Sequence, residues 1–114
     1  MNQSLDKLLE SKCQPVNDEN LALNLSEIET LRKLTPRWQY CATENEISQT
    51  FHFKKYSQTI EFVNKVASIA EQEDHHPELE VSFSRCKVRY STHSVNGLTE
   101  NDFICAAKID SLDE

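Results

Sequence analysis

The chain has 114 residues, with 19 acidic and 12 basic side chains, a formal net charge of −7, and 38% hydrophobic and 27% charged residues. That length fits one domain with its own core and is too short for two, and the composition is that of a globular protein, not of a disordered tail. An acidic pI near 5.1 argues against a broad basic face for nucleic acid, no apolar run approaches the roughly 20 residues of a membrane span, and a single glycine argues against nucleotide-binding Gly loops.

Residues 1–25 read as a variable lead-in. Leu5, Leu8 and Leu9 have the spacing of a short amphipathic turn, interrupted by Pro15 and the polar run 17–20. The opening MNQSLDKLLESKC has neither an apolar core nor a basic leader, so no export signal and a cytoplasmic location are expected. Cysteines at 13, 41, 86 and 105 form no C-x-x-C pair and read as reduced thiols, mostly small core residues.

Residues 26–114 read as one domain. In SEIETLRKL, 26–34, Ser26 and Glu29 form a capping-box pattern and Ile28, Leu31 and Leu34 recur at helical spacing, with Pro36 ending the helix. A short aromatic strand, 38–43, and a turn at Glu44-Asn45-Glu46 lead to 47–53, where Ile47, Gln49, Phe51 and Phe53 alternate with polar residues as in a half-buried strand. The longest helix, 56–72, carries two apolar stripes, Ile60/Val63/Ala67/Ala70 and Phe62/Val66/Ile69, one expected to cover a sheet and the other to meet a partner subunit. Strands at 79–83 and 86–92 are expected around a tight Ser84-Arg85 turn. A last helix, 100–109, starts with Thr99 as N-cap and Asp102 three residues on, and Gly97 just before it suits a positive φ. The order α-β-β-α-β-β-α predicts an α+β fold, a four-stranded antiparallel sheet with three helices on one face.

His75, His76 and His93 fall at element ends, where functional side chains are displayed on a rigid scaffold. Pro77 holds His76 extended. Three uses stand open: a metal site completed by Glu71, Glu73 or Asp74, general acid–base chemistry by imidazoles titrating near pH 6.5, or polar loop residues with no joint role. His52 reads as a sheet-surface residue and Trp38 as a core anchor more readily than a ligand-stacking group.

The segment from Ala70 to Phe103 resembles the pterin-4a-carbinolamine dehydratases. The pattern is an acid four residues before the first His, His-His-Pro, an aromatic, Ser-Thr-His and Gly-Leu-Ser/Thr-x-x-Asp, matched without a gap by Glu71, His75, His76, Pro77, Phe83, Ser91, Thr92, His93, Gly97, Leu98, Thr99 and Asp102. The resemblance extends over about 26–110 and leaves 1–25 unmatched.

The resemblance implies dehydration of 4a-hydroxytetrahydrobiopterin to quinonoid dihydropterin, recycling the cofactor of aromatic amino-acid hydroxylases. It implies His75 and His93 as the acid–base pair and His76 orienting the pterin and sharing in proton transfer. Asp74, Ser91, Thr92 and Ser94 would bind the pterin or hold the rings, Trp38 would wall the pocket, and Glu71, Pro77 and Asp102 would support it. The pterin is then the substrate, with no further cofactor, no metal, no direct nucleic-acid partner and no membrane. A homodimer or homotetramer through the helix at 56–72 is implied. Two alternatives accompany it: a dimerisation cofactor or transcriptional coactivator on the same fold, and a dehydratase-like role in molybdenum-cofactor pterin metabolism.

Overall fold

The period-two pattern beginning at Ile47 becomes the second strand of a four-stranded sheet. In the computed structural model, which describes residues 4–16 and 21–112, the elements run α1 (Leu5–Glu10), α2 (Leu25–Leu34), β1 (Gln39–Cys41), β2 (Glu46–His52), α3 (Tyr56–Glu73), β3 (Glu78–Ser82), β4 (Arg85–Tyr90) and α4 (Glu100–Asp110). The strands are ordered β1-β2-β4-β3 and every neighbouring pair is antiparallel. Register places Ile47 opposite Tyr90, Gln49 opposite Val88 and Phe51 opposite Cys86, with Leu79 beside Val88, so these side chains share the face that meets the helices. The opposite face carries Arg85, Lys87, Arg89, Glu78 and Glu80, and Arg89 pairs with Glu80 at 2.9 Å. The fold is the expected α+β arrangement, with one more helix at the N-terminus.

Several boundaries move for local reasons. Helix α2 is capped by Asn24 and Glu27, not by Ser26 and Glu29: Asn24 Oδ1 accepts from the Glu27 N–H at 2.8 Å and Glu27 Oε1 from the Asn24 N–H at 2.9 Å. The Leu23 N–H donates to the Leu98 carbonyl at 2.8 Å and holds the chain extended up to that cap, while Glu29 pairs with Arg32 along the helix. The β3–β4 turn is Phe83-Ser84, because Ser82 pairs with Arg85. Gly97 does not take a positive φ; Asn96 does, at 55°. A Cβ on Gly97 would make only ordinary contacts, 3.8 Å from the Val95 carbonyl oxygen and 3.9 Å from the Ala22 Cβ.

The most buried helix is α4, where Asn101 through Ala107 are all buried and neighbours lie on every side. Its small residues Cys105, Ala106 and Ala107 allow that approach. Helix α3 turns Thr59, Phe62, Val66, Ile69 and Ala70 inward, with Phe62 against Phe51 and Phe53 at ring separations of 4.5 and 5.2 Å. Ala67 and Tyr56 stay exposed on its outer side. The expected stripes therefore regroup: Val63 and Ala70 pack with the inward set, and Ile60 and Ala67 remain outside.

The lead-in is attached to the domain. Ser4 caps α1 by accepting from the Lys7 N–H at 3.2 Å, and Leu8, 1% exposed, joins the core as α1 packs on α4. The polar run expected at 17–20 lies outside the described residues. Among those described, no helix is long and apolar enough to cross a membrane.

Removing the Leu8 side chain leaves a cavity under α1, so Leu8→Ala is expected to lower unfolding free energy by about 2–4 kcal/mol. The exposed Leu5, changed to Ala, is expected to cost less than about 0.5 kcal/mol. Urea denaturation compares them, and equal small effects would show that α1 contributes nothing to the core.

Candidate active site

Helix α3 ends where Asp74 turns left-handed, at φ 53° and ψ 43°, with its N–H on the Ala70 carbonyl. Aspartate is among the few residues that tolerate this region. The His75 N–H reaches the same carbonyl at 3.1 Å, so the turn delivers His75 and His76 to the start of β3. From the other side β4 runs through Ser91 and Thr92 into a single 3₁₀ turn, His93–Val95, closed by a bridge between Thr92 and Gly97.

These two junctions meet over the N-terminus of α4, at Asp102. Its carboxylate is 0% exposed and is held by three groups. His75 Nε2 lies 2.7 Å from Oδ1, and Oδ2 accepts from the Thr92 hydroxyl at 2.8 Å and the Thr99 N–H at 3.0 Å. An unpartnered buried carboxylate would be strongly unfavourable; three donors at the start of a helix make the charge tolerable. The Thr92 and Thr99 hydroxyls also bond each other at 2.8 Å.

His75 is the most constrained of the three histidines. Its ring stacks on Tyr90 at 5.3 Å and 11°, and the Tyr90 hydroxyl donates to the His75 carbonyl at 3.1 Å. Burial pushes its pKa down, but the hydrogen bond and negative charge of Asp102 outweigh burial and hold it above the usual imidazole value. With Nε2 committed to an acceptor carboxylate, Nδ1 is the ring nitrogen left to exchange a proton. His76 and His93 are both exposed, and His76 Nε2 meets Glu71 Oε2 at 3.3 Å on the surface.

A cleft of about 570 Å³ opens beside His75 and is bordered by His76, His93, Asp74, Ser91 and Thr92, a size suited to a small organic ligand. A second recess of about 220 Å³ shares His76, Ser91 and His93 with it, and adds Glu44, Glu46, Glu78 and Arg89. The structure thus brings together His75, His76, His93, Asp74, Ser91, Thr92 and Ser94, with Asp102 behind His75 and Glu71 behind His76. The Thr92 hydroxyl is engaged by Asp102, and Ser94 Oγ donates to the Val16 carbonyl at 3.4 Å. Pro77 starts the extended run into β3.

Trp38 does not border either recess. It is 3% exposed, its indole N–H shared between both Asp110 carboxylate oxygens at 3.1 Å. Its expected place in the pocket wall is replaced by a core role, because its apolar ring is covered and its one donor already has an acceptor at the end of α4. Among the described residues, no three His, Cys, Asp or Glu side chains form a metal-holding group.

Sequence reasoning missed the wall contributed by the lead-in. Cys13, Gln14, Pro15 and Val16 line the larger cleft. The Cys13 N–H donates to Glu73 Oε1 at 2.8 Å, and Gln14 and Asn101 bond reciprocally, N–H to Oδ1 at 3.0 Å and Nδ2 to carbonyl at 2.7 Å. Glu73 is itself buried and paired with Lys108 Nζ at 3.2 Å. Burial alone would raise its pKa; the Cys13 N–H and Lys108 more than offset this and hold it below the usual carboxylate range. The Leu5/Leu8/Leu9 spacing was the one signal that the lead-in docks.

A family model described as pterin 4 alpha carbinolamine dehydratase matches residues 21–112. A Nitrosomonas eutropha relative, provisionally named a pterin-4-alpha-carbinolamine dehydratase, is 49% identical over 106 residues, 92% of each chain. One from Nitrosospira multiformis, also so named provisionally, is 44% identical over 112 residues, covering 98% of this chain and 97% of that one. Among solved structures, a transcriptional coactivator/pterin dehydratase from Brucella melitensis superposes with TM-score 0.77 at 33% identity, over 82% of this chain and 99% of that one. A pterin dehydratase-like protein identified as a RuBisCO assembly factor in the alpha-carboxysome shares the fold at TM-score 0.58 and 21% identity, over 66% of this chain and 87% of that one.

A histidine whose folded pKa is raised adds stability that is complete below its unfolded value of about 6.5 and disappears as pH climbs through the folded value. Asp102→Asn is therefore expected to lower the His75 titration midpoint in NMR. The stability gap between parent and variant should narrow as pH rises above about 6.5. An unchanged midpoint would detach His75 from Asp102.

Proposed function

The chain belongs to the pterin 4 alpha carbinolamine dehydratase family, and on that basis we propose that it dehydrates 4a-hydroxytetrahydrobiopterin to quinonoid dihydropterin by histidine general acid–base catalysis. The observation that carries this reading is the His75–Asp102 contact of 2.7 Å, with both other site histidines bordering the same cleft. In the cytoplasm such a reaction recycles the pterin used by aromatic amino-acid hydroxylases, and the pterin enters as substrate.

Loss of water from the carbinolamine requires a proton on the 4a-hydroxyl, cleavage of the C4a–O bond, and removal of the N5 proton as the C4a–N5 double bond forms. His75, held above the usual imidazole pKa by Asp102, has the character of the acid. His93 is then the base, with His76 orienting the ring and sharing in proton transfer. Asp74, Ser91 and Ser94 border the cleft as polar partners for the pterin, while Thr92 acts on His75 through Asp102.

A purely protein-binding role, as a dimerisation cofactor or coactivator, has no use for a cleft bordered by three histidines, which favours catalysis. Turnover of the carbinolamine in the presence of EDTA tests this directly. His75→Ala is expected to lower kcat by about 10²–10⁴-fold, and full activity in the His75→Ala/His93→Ala double variant would remove the assignment.

The same reading gives the outer side of α3 to contact between copies of the chain in a homodimer or homotetramer. Tyr56 is exposed there beside Ile60. Ile60→Glu is expected to reduce the mass measured by light scattering; a monomeric parent would sink the assignment.

A further inference from the structure

Two thiols lie in contact behind the wall of the histidine cleft. Cys13 Sγ is 3.6 Å from Cys105 Sγ, although the residues are 92 positions apart. Cys13 belongs to the irregular segment between α1 and residue 16, is partly accessible and borders the cleft. Cys105 is 0% exposed, one turn along α4 from Asn101. The same stretch is aligned by backbone contacts: the Cys13 N–H on Glu73, the paired Gln14–Asn101 bonds, and Cys13 Sγ 3.6 Å from the Asn101 carbonyl. The other two thiols lack such a neighbour. Cys41 meets the Thr43 hydroxyl at 3.3 Å, and Cys86 is buried in the sheet, where burial pushes its pKa up to about 11.

We propose that Cys13 and Cys105 are a redox modification site, oxidised by peroxides to a disulfide that staples the cleft's N-terminal wall to α4. The oxidant enters through the cleft and reaches Cys13. Cys13 attacks peroxide as the thiolate, its proton released to solvent. The S–O bond forms, the O–O bond breaks, and the departing hydroxide takes up a proton to become water, leaving Cys13 as the sulfenic acid. The Cys105 sulfur then attacks the Cys13 sulfur. The S–S bond forms, the S–O bond breaks, and the hydroxyl departs with the Cys105 proton as a second water. Two thiols and one peroxide thus give one disulfide and two waters.

The local chemistry suits this sequence. The contact between the two sulfurs, together with the nearby Tyr90 hydroxyl and His75, holds Cys105 below the usual thiol range despite burial, while Cys13 is held above it. Cys105, 3.6 Å away, is therefore placed to attack the oxidised Cys13 sulfur. Forming the bond needs about 1.6 Å of approach to the usual S–S length, along a segment that belongs to no helix or strand on the Cys13 side.

The test uses the full chain carrying Cys41→Ser, titrated with hydrogen peroxide, alkylated, digested without reduction and analysed by mass spectrometry. A Cys13–Cys105 linked peptide is expected, reversed by dithiothreitol, with a melting temperature raised by about 5–15 °C. Adding Cys13→Ser is expected to abolish both effects while the untreated protein melts close to its parent. Cys13 and Cys105 remaining alkylatable after a peroxide dose that fully oxidises Cys41 in the unaltered chain would overturn the proposal, and so would a linked protein with an unchanged melting temperature. Neither readout involves turnover, so the outcome is independent of the pterin reaction.

Discussion

A buried carboxylate organises this protein. Asp102 sits at 0% exposure at the start of α4, and its three donors come from three different places in the chain: His75 after α3, Thr92 after β4, and Thr99 ahead of α4. The requirement that a buried charge be satisfied thereby fixes three junctions against one another. Position and reactivity of His75 follow from the same contact, since the carboxylate that holds the ring also raises its pKa. Fold and chemistry are coupled at a single residue.

Around that point the remaining constraints are arranged by layer. The sheet supplies the Tyr90 ring beneath His75 and a hydroxyl for its carbonyl. Helix α4 supplies Asp102 toward His75 and Asn101 toward the lead-in, from adjacent residues that point to different neighbours because they are about 100° apart on the helix. The lead-in completes the cleft from outside the family-matched span, which begins at residue 21. The span matched by the family model thus carries the histidines, and the segment ahead of it supplies one wall.

Strands, the long helix and the final helix were legible because each obeys a local period. Ile47 and Phe51 alternate with polar neighbours, and Ile28 and Leu31 recur at helical spacing. Caps were less legible because several residues near a helix start compete for the role; Asn24 prevails over Ser26 because a backbone bond from Leu23 to Leu98 holds the preceding chain extended. The positive φ fell to Asn96 instead of Gly97, since asparagine tolerates that region and the loop does not need a missing Cβ one residue later. Trp38 illustrates a further limit: an aromatic side chain serves a core or a pocket equally well in sequence, and only its contact with Asp110 decides.

By itself the sequence determined the α+β element order, the α4 start at Thr99 and the set of three histidines, because alternation, capping spacing and an ungapped run of motif residues are all local in the chain. The tertiary structure decided that His75, not its neighbour His76, is the histidine bound to Asp102. It also decided that α4 is the enclosed helix and that residues 13–16 wall the cleft. Those outcomes depend on contacts across long sequence separations, such as Cys13 with Cys105 and Gln14 with Asn101. No local period encodes which distant backbone a partly polar segment will meet. The acidic balance of the composition likewise left one question to the fold: which carboxylate is enclosed, and therefore which histidine it governs.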